Sequence, residues 1–212
     1  TAIACHKKRI NTVAVTAGYI TKEARPGFFE HMDAANVDLK GFTEKFYQEL
    51  CGGSLLPVLD TLEYLVHETD VWLEITTLLI PGENDSDEEL GAMTRWIVKH
   101  LGSQIPLHFS AFHPDYKLMN RPATSHRSLL KARQIAIENG IEYVYLGNVQ
   151  DSVNASTYCP QCQQKLIGRL SYQISDWQID AAGNCSSCGK RIPGKFETRP
   201  GDWGNRYERI RI

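Results

Sequence analysis

Two hydrophobic rhythms alternate along the first two thirds of the chain. Short runs rich in valine, isoleucine, threonine and aromatic residues predict strands: TVAVTA (12–17), ANVDLK (35–40), VWLEITTLLI (71–80), PLHFSAF (106–112) and EYVYLG (142–147). Between them, apolar positions return every three or four residues. Leu90, Met93, Ile97 and Leu101 follow Ser86 and Glu89, an S-x-x-E capping box, and Gly102 ends the segment. Ser54 is expected to cap a helix with Pro57 in its first turn and Leu55, Leu59, Leu62 and Val66 on one face. In SHRSLLKARQIAIENG the stop falls at Asn139-Gly140, where glycine tolerates the left-handed conformation that closes a helix. Strand starts lie 23 to 36 residues apart, the scale of a βα unit, so residues 1–151 predict an α/β domain around a parallel sheet, open or curled into a barrel. Five strands cannot close an eight-stranded barrel alone.

After Asp151 the helical rhythm stops, and residues 152–212 predict a second, small domain. It holds Cys159-Pro160-Gln161-Cys162 and Cys185-Ser186-Ser187-Cys188, two C-x-x-C turns with 22 residues between them. Each turn aims two thiolates at one point, and two turns supply a closed tetrahedral site. With few large apolar side chains of its own, a domain of this size gains a substitute core from the metal. Structural zinc is the reading; two free dithiols or a redox pair are the competitor, and a rubredoxin-like iron site satisfies the same geometry. Cys5 and Cys51 stand alone and read as inert thiols.

Charge adds little. The 23 Lys and Arg against 25 Asp and Glu leave a formal net charge of −2, which favours neither nucleic acid nor an anionic membrane. No basic stripe interleaved with aromatics accompanies the cysteine turns. No apolar run approaches membrane-spanning length and no secretion signal opens the chain, so a cytoplasmic setting is expected. The chain opens without Met and runs almost directly into a strand, which suggests that it begins partway through a larger protein.

In parallel βα folds, ligands gather at the carboxyl ends of the strands. Those ends are polar here: Thr16 with Gly18, Asp38 with Lys40, Glu74 to Thr77, Ser110 with His113, and Asn148. Strand periodicity points Asp38 and Lys40 the same way, and likewise Glu74 and Thr76, or His108 and Ser110. A carboxylate and an ammonium in one cavity are costly unless they pair with each other or with a zwitterionic ligand. A salt bridge closing the strand mouth and a shared ligand site are both open at this point.

Taken together, VTAGYI, NVDLKG, EITTLLIPGENDSDEEL, HFSAFHPDYKL and YVYLGN, followed by TYCPQC and CSSCGKRIPGKF, resemble the radical SAM enzymes of the AmmeMemoRadiSam system, which are similar to pyruvate formate-lyase-activating enzymes. The resemblance covers nearly the whole chain. It implies the later strands of a partial (β/α) barrel of the radical SAM type, followed by a small zinc-ribbon-like domain. It also implies a 4Fe-4S cluster that binds S-adenosylmethionine, a 5'-deoxyadenosyl radical that abstracts hydrogen from an unknown substrate, and association with proteins of the AmmeMemoRadiSam system. By motif position, Thr16, Gly18 and Asp38 lie near the cofactor or an associated cation, and Lys40 and His113 face the cofactor and the reaction. Glu74, Thr76, His108 and Asn148 are substrate-side candidates.

The sequence departs from the resembling family in two places. The C-x-x-x-C-x-x-C motif that holds the cluster is absent, so the chain by itself is expected to be inactive in radical chemistry. Thr16-Ala17-Gly18 also replaces the usual T-N-G, removing an amide. Two other readings need no missing half. Lys40 at a strand end suits a Schiff-base β/α-barrel lyase, with Asp38 or His113 moving protons. Alternatively the chain is a non-catalytic, zinc-stabilised interaction module.

Overall fold

The structure is a computed structural model that describes residues 1–201 and Gly204; the rest of the tail that the sequence assigns to the cysteine-rich domain lies outside the described residues. The chain divides into two compact units, Thr1–Asn148 and Val149–Ile212.

In the first unit a short helix α1 (Ala2–Lys7) precedes strand β1 (Val13–Thr16). Helix α2 (Arg25–Phe29) leads to β2 (Ala34–Asp38), and α3 (Glu44–Phe46), a π-turn (Tyr47–Cys51) and α4 (Leu56–Glu68) lead to β3 (Trp72–Leu79). Then α5 (Asp87–His100), β4 (Leu107–Ala111), α6 (His126–Glu138) and β5 (Val144–Gly147) complete it. All neighbouring strands pair in parallel in the order β1-β2-β3-β4-β5, so each crossover advances the sheet by one strand. Local chemistry sets the helix ends: the hydroxyls of Ser86 and Ser125 accept the N–H groups of Glu89 and Ser128 at 3.2 and 3.0 Å. Gly102 and Gly140, each at φ +101°, turn the chain out of α5 and just after α6. Ser54 does not cap α4. The helix begins two residues later, and the Glu44 carboxylate takes the Leu55 N–H at 3.2 Å.

The two faces of this sheet differ. Ala35, Val37, Leu73, Ile75, Leu79, Leu107, Phe109, Val144 and Leu146 are buried on one face. The helices supply Val58, Leu62, Leu65, Leu90, Met93, Ile97, Leu129, Ala132 and Ala136 to that core. Each such large side chain contributes about 1.5–3 kcal/mol on full burial. The alternate positions, among them Asn36, Asp38, Trp72, Glu74, Thr76, His108, Ser110 and Tyr145, are only half-buried, and Val15 is 79% exposed. Among the described residues of this unit, no helix covers this second, bare face.

The second unit contains an antiparallel sheet of β6 (Thr157–Tyr158), β7 (Lys165–Leu170) and β8 (Gln173–Trp177). Its buried apolar side chains are few among the described residues: Leu166, Ile167, Ile179 and Ile192, beside Cys159 and Cys185.

Candidate active-site face and metal centre

Ladder register aligns the polar residues of the bare face into rows. Asp38 on β2 stands beside Thr76 on β3, Thr76 beside His108 on β4, and His108 beside Tyr145 on β5. Adjacent strands lie about 4.8 Å apart, so Asp38 and His108 are separated by roughly 10 Å across the sheet. One row below, Asn36 is beside Glu74; one row above, Leu78, Ser110 and Gly147 line up.

Hydrogen bonds tie these rows together. Thr76 donates its hydroxyl to Asn36 Oδ1 at 2.9 Å. Glu74 takes a bond from Trp72 Nε1 on Oε1 at 3.1 Å and pairs with His108 Nε2 through Oε2 at 2.8 Å. The His108 ring stacks on Tyr145, with centroids 4.9 Å apart and planes 25° from parallel. At the exit of β2, Lys40 Nζ donates to Asp38 Oδ2 at 2.8 Å, with the two side chains 42% and 33% exposed. The opposite charges are therefore paired with each other while both stay open to solvent and ligand.

The backbone of that exit is clamped from three elements. Tyr47 on the π-turn accepts the Lys40 N–H on its phenol oxygen at 3.2 Å, and burial pushes that phenol's pKa up. Asn84, 2% exposed, donates to the carbonyls of Lys40 at 2.6 Å and Leu78 at 2.9 Å, and accepts the Ile80 N–H at 2.7 Å. Glu89 on α5 accepts the Phe42 N–H at 2.6 Å; burial raises its carboxyl pKa against the pull of that bond. Gly41 between them leaves room for Phe46, whose ring would stand 2.6 Å from an added Cβ. The position and direction of Asp38 and Lys40 are thus fixed from behind.

The structure places the remaining sequence candidates less uniformly. Thr16 pairs with Val37 in the ladder, so pleat alternation puts it on the helix side, opposite to Asp38 and Lys40. Its hydroxyl accepts the Gly18 N–H at 3.2 Å and serves the turn. Gly18 is required there: it sits at φ +65°, and an added Cβ would meet Val37 Cγ1 at 2.7 Å. His113 is exposed beyond β4 and makes no hydrogen bond or ion pair with Asp38 or Lys40 among the described residues. Asn148, at φ +57°, donates to the Ala111 carbonyl at 3.2 Å. Of the strand-end candidates, the ladder and hydrogen bonds relate Thr16, Asp38 and Lys40 to one another. Asp38 and Lys40 come together, whereas Thr16 lies across the pleat and His113 stands unattached. Trp72, Tyr145 and Asn36 join the face without having been singled out in the sequence.

In the second unit, the thiols of Cys159, Cys162, Cys185 and Cys188 all lie within 4.8 Å of one another. Cys159 and Cys188 are 3.6 Å apart, as are Cys162 and Cys185. Tetrahedral zinc with bonds of ~2.3 Å separates its sulfurs by ~3.7 Å, so the four fit a single ion. The two turns repeat one design. Cys159 and Cys185 each donate an N–H to a carbonyl five residues on, and each accepts from the residue four on, with all four bonds at 2.9 Å. Those fourth residues, Gln163 and Gly189, are left-handed at φ +60° and +73°. Burial opposes ionisation of Cys185, but the N–H groups of Cys188 and Ser187 and the neighbouring thiols bring it down to about 7. At Cys188 the Lys190 N–H favours the thiolate, yet burial and the other three thiols push it up to about 12. A bound cation removes that conflict by replacing the protons.

No family model matches the chain. It is 38% identical over 193 residues to the uncharacterized protein MJ0808 of Methanocaldococcus jannaschii, a match covering 91% of this chain and 57% of that protein. The chain thus spans little more than half the length of the curated relative it matches. Among solved structures, its fold is similar to a domain of pyruvate-formate lyase-activating enzyme from Bacteroides vulgatus, with TM-score 0.61 and 17% identity over 69% of this chain and 87% of that one. It is also similar to a radical SAM methyltransferase from Sphaerobacter thermophilus, with TM-score 0.55 and 16% identity over 74% of this chain and 46% of that one. The five parallel strands resemble a partial radical SAM barrel in fold, and the four cysteines could form a zinc ribbon.

Proposed function

We propose that the chain is the later part of a radical S-adenosylmethionine enzyme's barrel, of the AmmeMemoRadiSam kind, and that the bare face of its sheet is the reaction face. The observation that carries this reading is the Asp38–Lys40 pair, held from behind at the exit of β2 and open to ligand in front. An amino-acid zwitterion can exchange partners with such a pair. Asp38 takes the ligand's ammonium and Lys40 its carboxylate, with no net charge left unpaired. In the resembling family the cofactor supplies a 5'-deoxyadenosyl radical for hydrogen abstraction.

The residues present do not fit the iron-sulfur cluster. Four cysteines converge too tightly for anything larger than one ion, and Cys5 and Cys51 lie 46 positions apart in the other unit. Without ligands for the cluster the chain by itself is inactive in this chemistry. By the same resemblance His113, exposed beyond β4, faces the cofactor.

Calorimetric titration with S-adenosylmethionine tests the reading. Saturable binding that weakens at least about tenfold in Lys40→Met supports it. Equal binding by that variant, or none by the wild-type chain, overturns it.

A further inference from the structure

The four converging thiols are not equally reachable. Cys159 and Cys185 are buried, at 0% and 2% exposure, and Cys188 is half-buried. Cys162 is exposed, within a run, residues 161–164, that is exposed throughout. The centre that fits one zinc ion therefore shows one of its sulfurs to solvent. Attack on an oxidant needs a thiolate and access, and a metal-bound sulfur has already given up its proton. The Sγ atoms of Cys162 and Cys185 stand 3.6 Å apart across the two turns, so an oxidised Cys162 has a second sulfur directly beside it. A disulfide of ~2.05 Å requires the two turns only to close that gap. The unit has little else to hold its ion in place: among the described residues its buried aliphatic side chains are Leu166, Ile167, Ile179 and Ile192.

We propose that the four-cysteine centre is an oxidation-sensitive zinc switch, entered at Cys162 and closed by a Cys162–Cys185 disulfide. The oxidant is a small hydroperoxide, ROOH. Cys162 Sγ attacks its terminal oxygen: an S–O bond forms, the O–O bond breaks, and the alkoxide leaves and takes a proton to become an alcohol. Cys185 Sγ then attacks the Cys162 sulfur: the S–S bond forms, the S–O bond breaks, and hydroxide leaves and takes a second proton to become water. Two thiolates lose two electrons and the hydroperoxide gains them. Cys159 and Cys188 alone cannot close a tetrahedral site, so the ion leaves. A thiol reductant with zinc reverses the change. The second unit thus keeps or loses its ion according to the oxidants around it, whatever the sheet unit binds.

The test loads the reduced 212-residue chain with zinc and adds hydrogen peroxide in stoichiometric steps. Zinc release is followed with a chromogenic chelator, and disulfides are mapped by peptide mass spectrometry. One zinc should be released for each peroxide consumed, with a bridge between Cys162 and Cys185. Cys162→His keeps a zinc ligand but removes the oxidisable sulfur from the exposed position, and should release zinc at least about tenfold more slowly. Cys51→Ser removes an exposed thiol outside the centre and should release zinc at the wild-type rate. Reductant with added zinc should restore the loaded chain. The bridge is mapped on the wild type, so it decides even where Cys162→His takes up no zinc. No zinc uptake by the wild type, zinc retained after oxidation, a bridge within one C-x-x-C turn, or release by Cys162→His at the wild-type rate overturns the proposal.

Discussion

In the sheet-bearing unit, Val37, Leu62, Leu65, Ile75, Ile97, Leu107, Phe109 and Leu129 are all fully buried, so strand and helix faces hold each other by apolar contact. In the unit that follows, four buried aliphatic side chains among the described residues and four converging thiols do the same work. The first unit can lose an ion and keep its shape. The described residues of the second bury too little apolar area to repay their chain entropy without one. The contrast also explains where chemistry can sit. A core that needs only one face of its sheet leaves the other free for polar residues, whereas a centre whose four positions are all thiolates has no open position for a substrate.

Removing the metal should give the largest effect. Structural zinc in small domains is worth about 10–16 kcal/mol, so a strong chelator or Cys185→Ser should unfold the second unit. Backbone NMR signals of residues 157–192 should collapse while those of the sheet unit persist. Elemental analysis of the purified chain, with the absence or presence of iron–thiolate colour, decides zinc against iron. Loss of both units together would break the comparison.

Phe109→Ala tests the other side. Deleting a fully buried aromatic ring should cost about 3–5 kcal/mol in urea unfolding of the first unit, with metal content unchanged. A smaller change is expected at Gln163, the left-handed counterpart of Gly189. Gln163→Gly relieves the side-chain strain but loses a 3.3 Å bond to the Pro160 carbonyl, so a gain of up to about 1 kcal/mol in the second unit is expected, measured by chelator-midpoint shift.

Glu89 gives the smallest effect and a sign. Its pKa is raised in the fold, chiefly by burial, so the folded state binds a proton more readily than the unfolded chain. The contribution is complete below the ordinary carboxylate range and is lost as pH rises through the raised folded value. Gln at this position keeps an acceptor for the Phe42 N–H without the charge. Glu89→Gln should therefore gain on the wild type between about pH 4 and about pH 7, read from urea midpoints at the two pH values.

Local chemistry made much of this architecture legible. The β-branched runs became the five strands, Ser86 became a side-chain cap although Glu89 turned to the Phe42 N–H instead of completing the box, and the C-x-x-C turns carried their thiol geometry with them. Strand alternation put Asp38 and Lys40 on one side, and their salt bridge was one of the two readings it left open. What depended on distant partners was not legible. Ser54 lost its role because Glu44 reaches the helix start from an earlier turn. The side on which Thr16 lies is set by its register with Val37, and the Glu74–His108–Tyr145 assembly by the registers of three strands. Asn84 sits within a segment that reads as loop and helix start, yet it bridges two strand ends through three backbone groups. The short helix Ala2–Lys7 has no apolar stripe to announce it; none of its residues is buried.

The most direct test of the central claim compares S-adenosylmethionine with its decarboxylated analogue in the same calorimetric titration, on the wild-type chain and on Lys40→Met. If the Asp38–Lys40 pair receives an amino-acid zwitterion, the wild type binds the intact molecule at least about tenfold more tightly than the analogue, and the variant loses that preference. Equal affinities on the wild type, or a preference that survives in the variant, would contradict it.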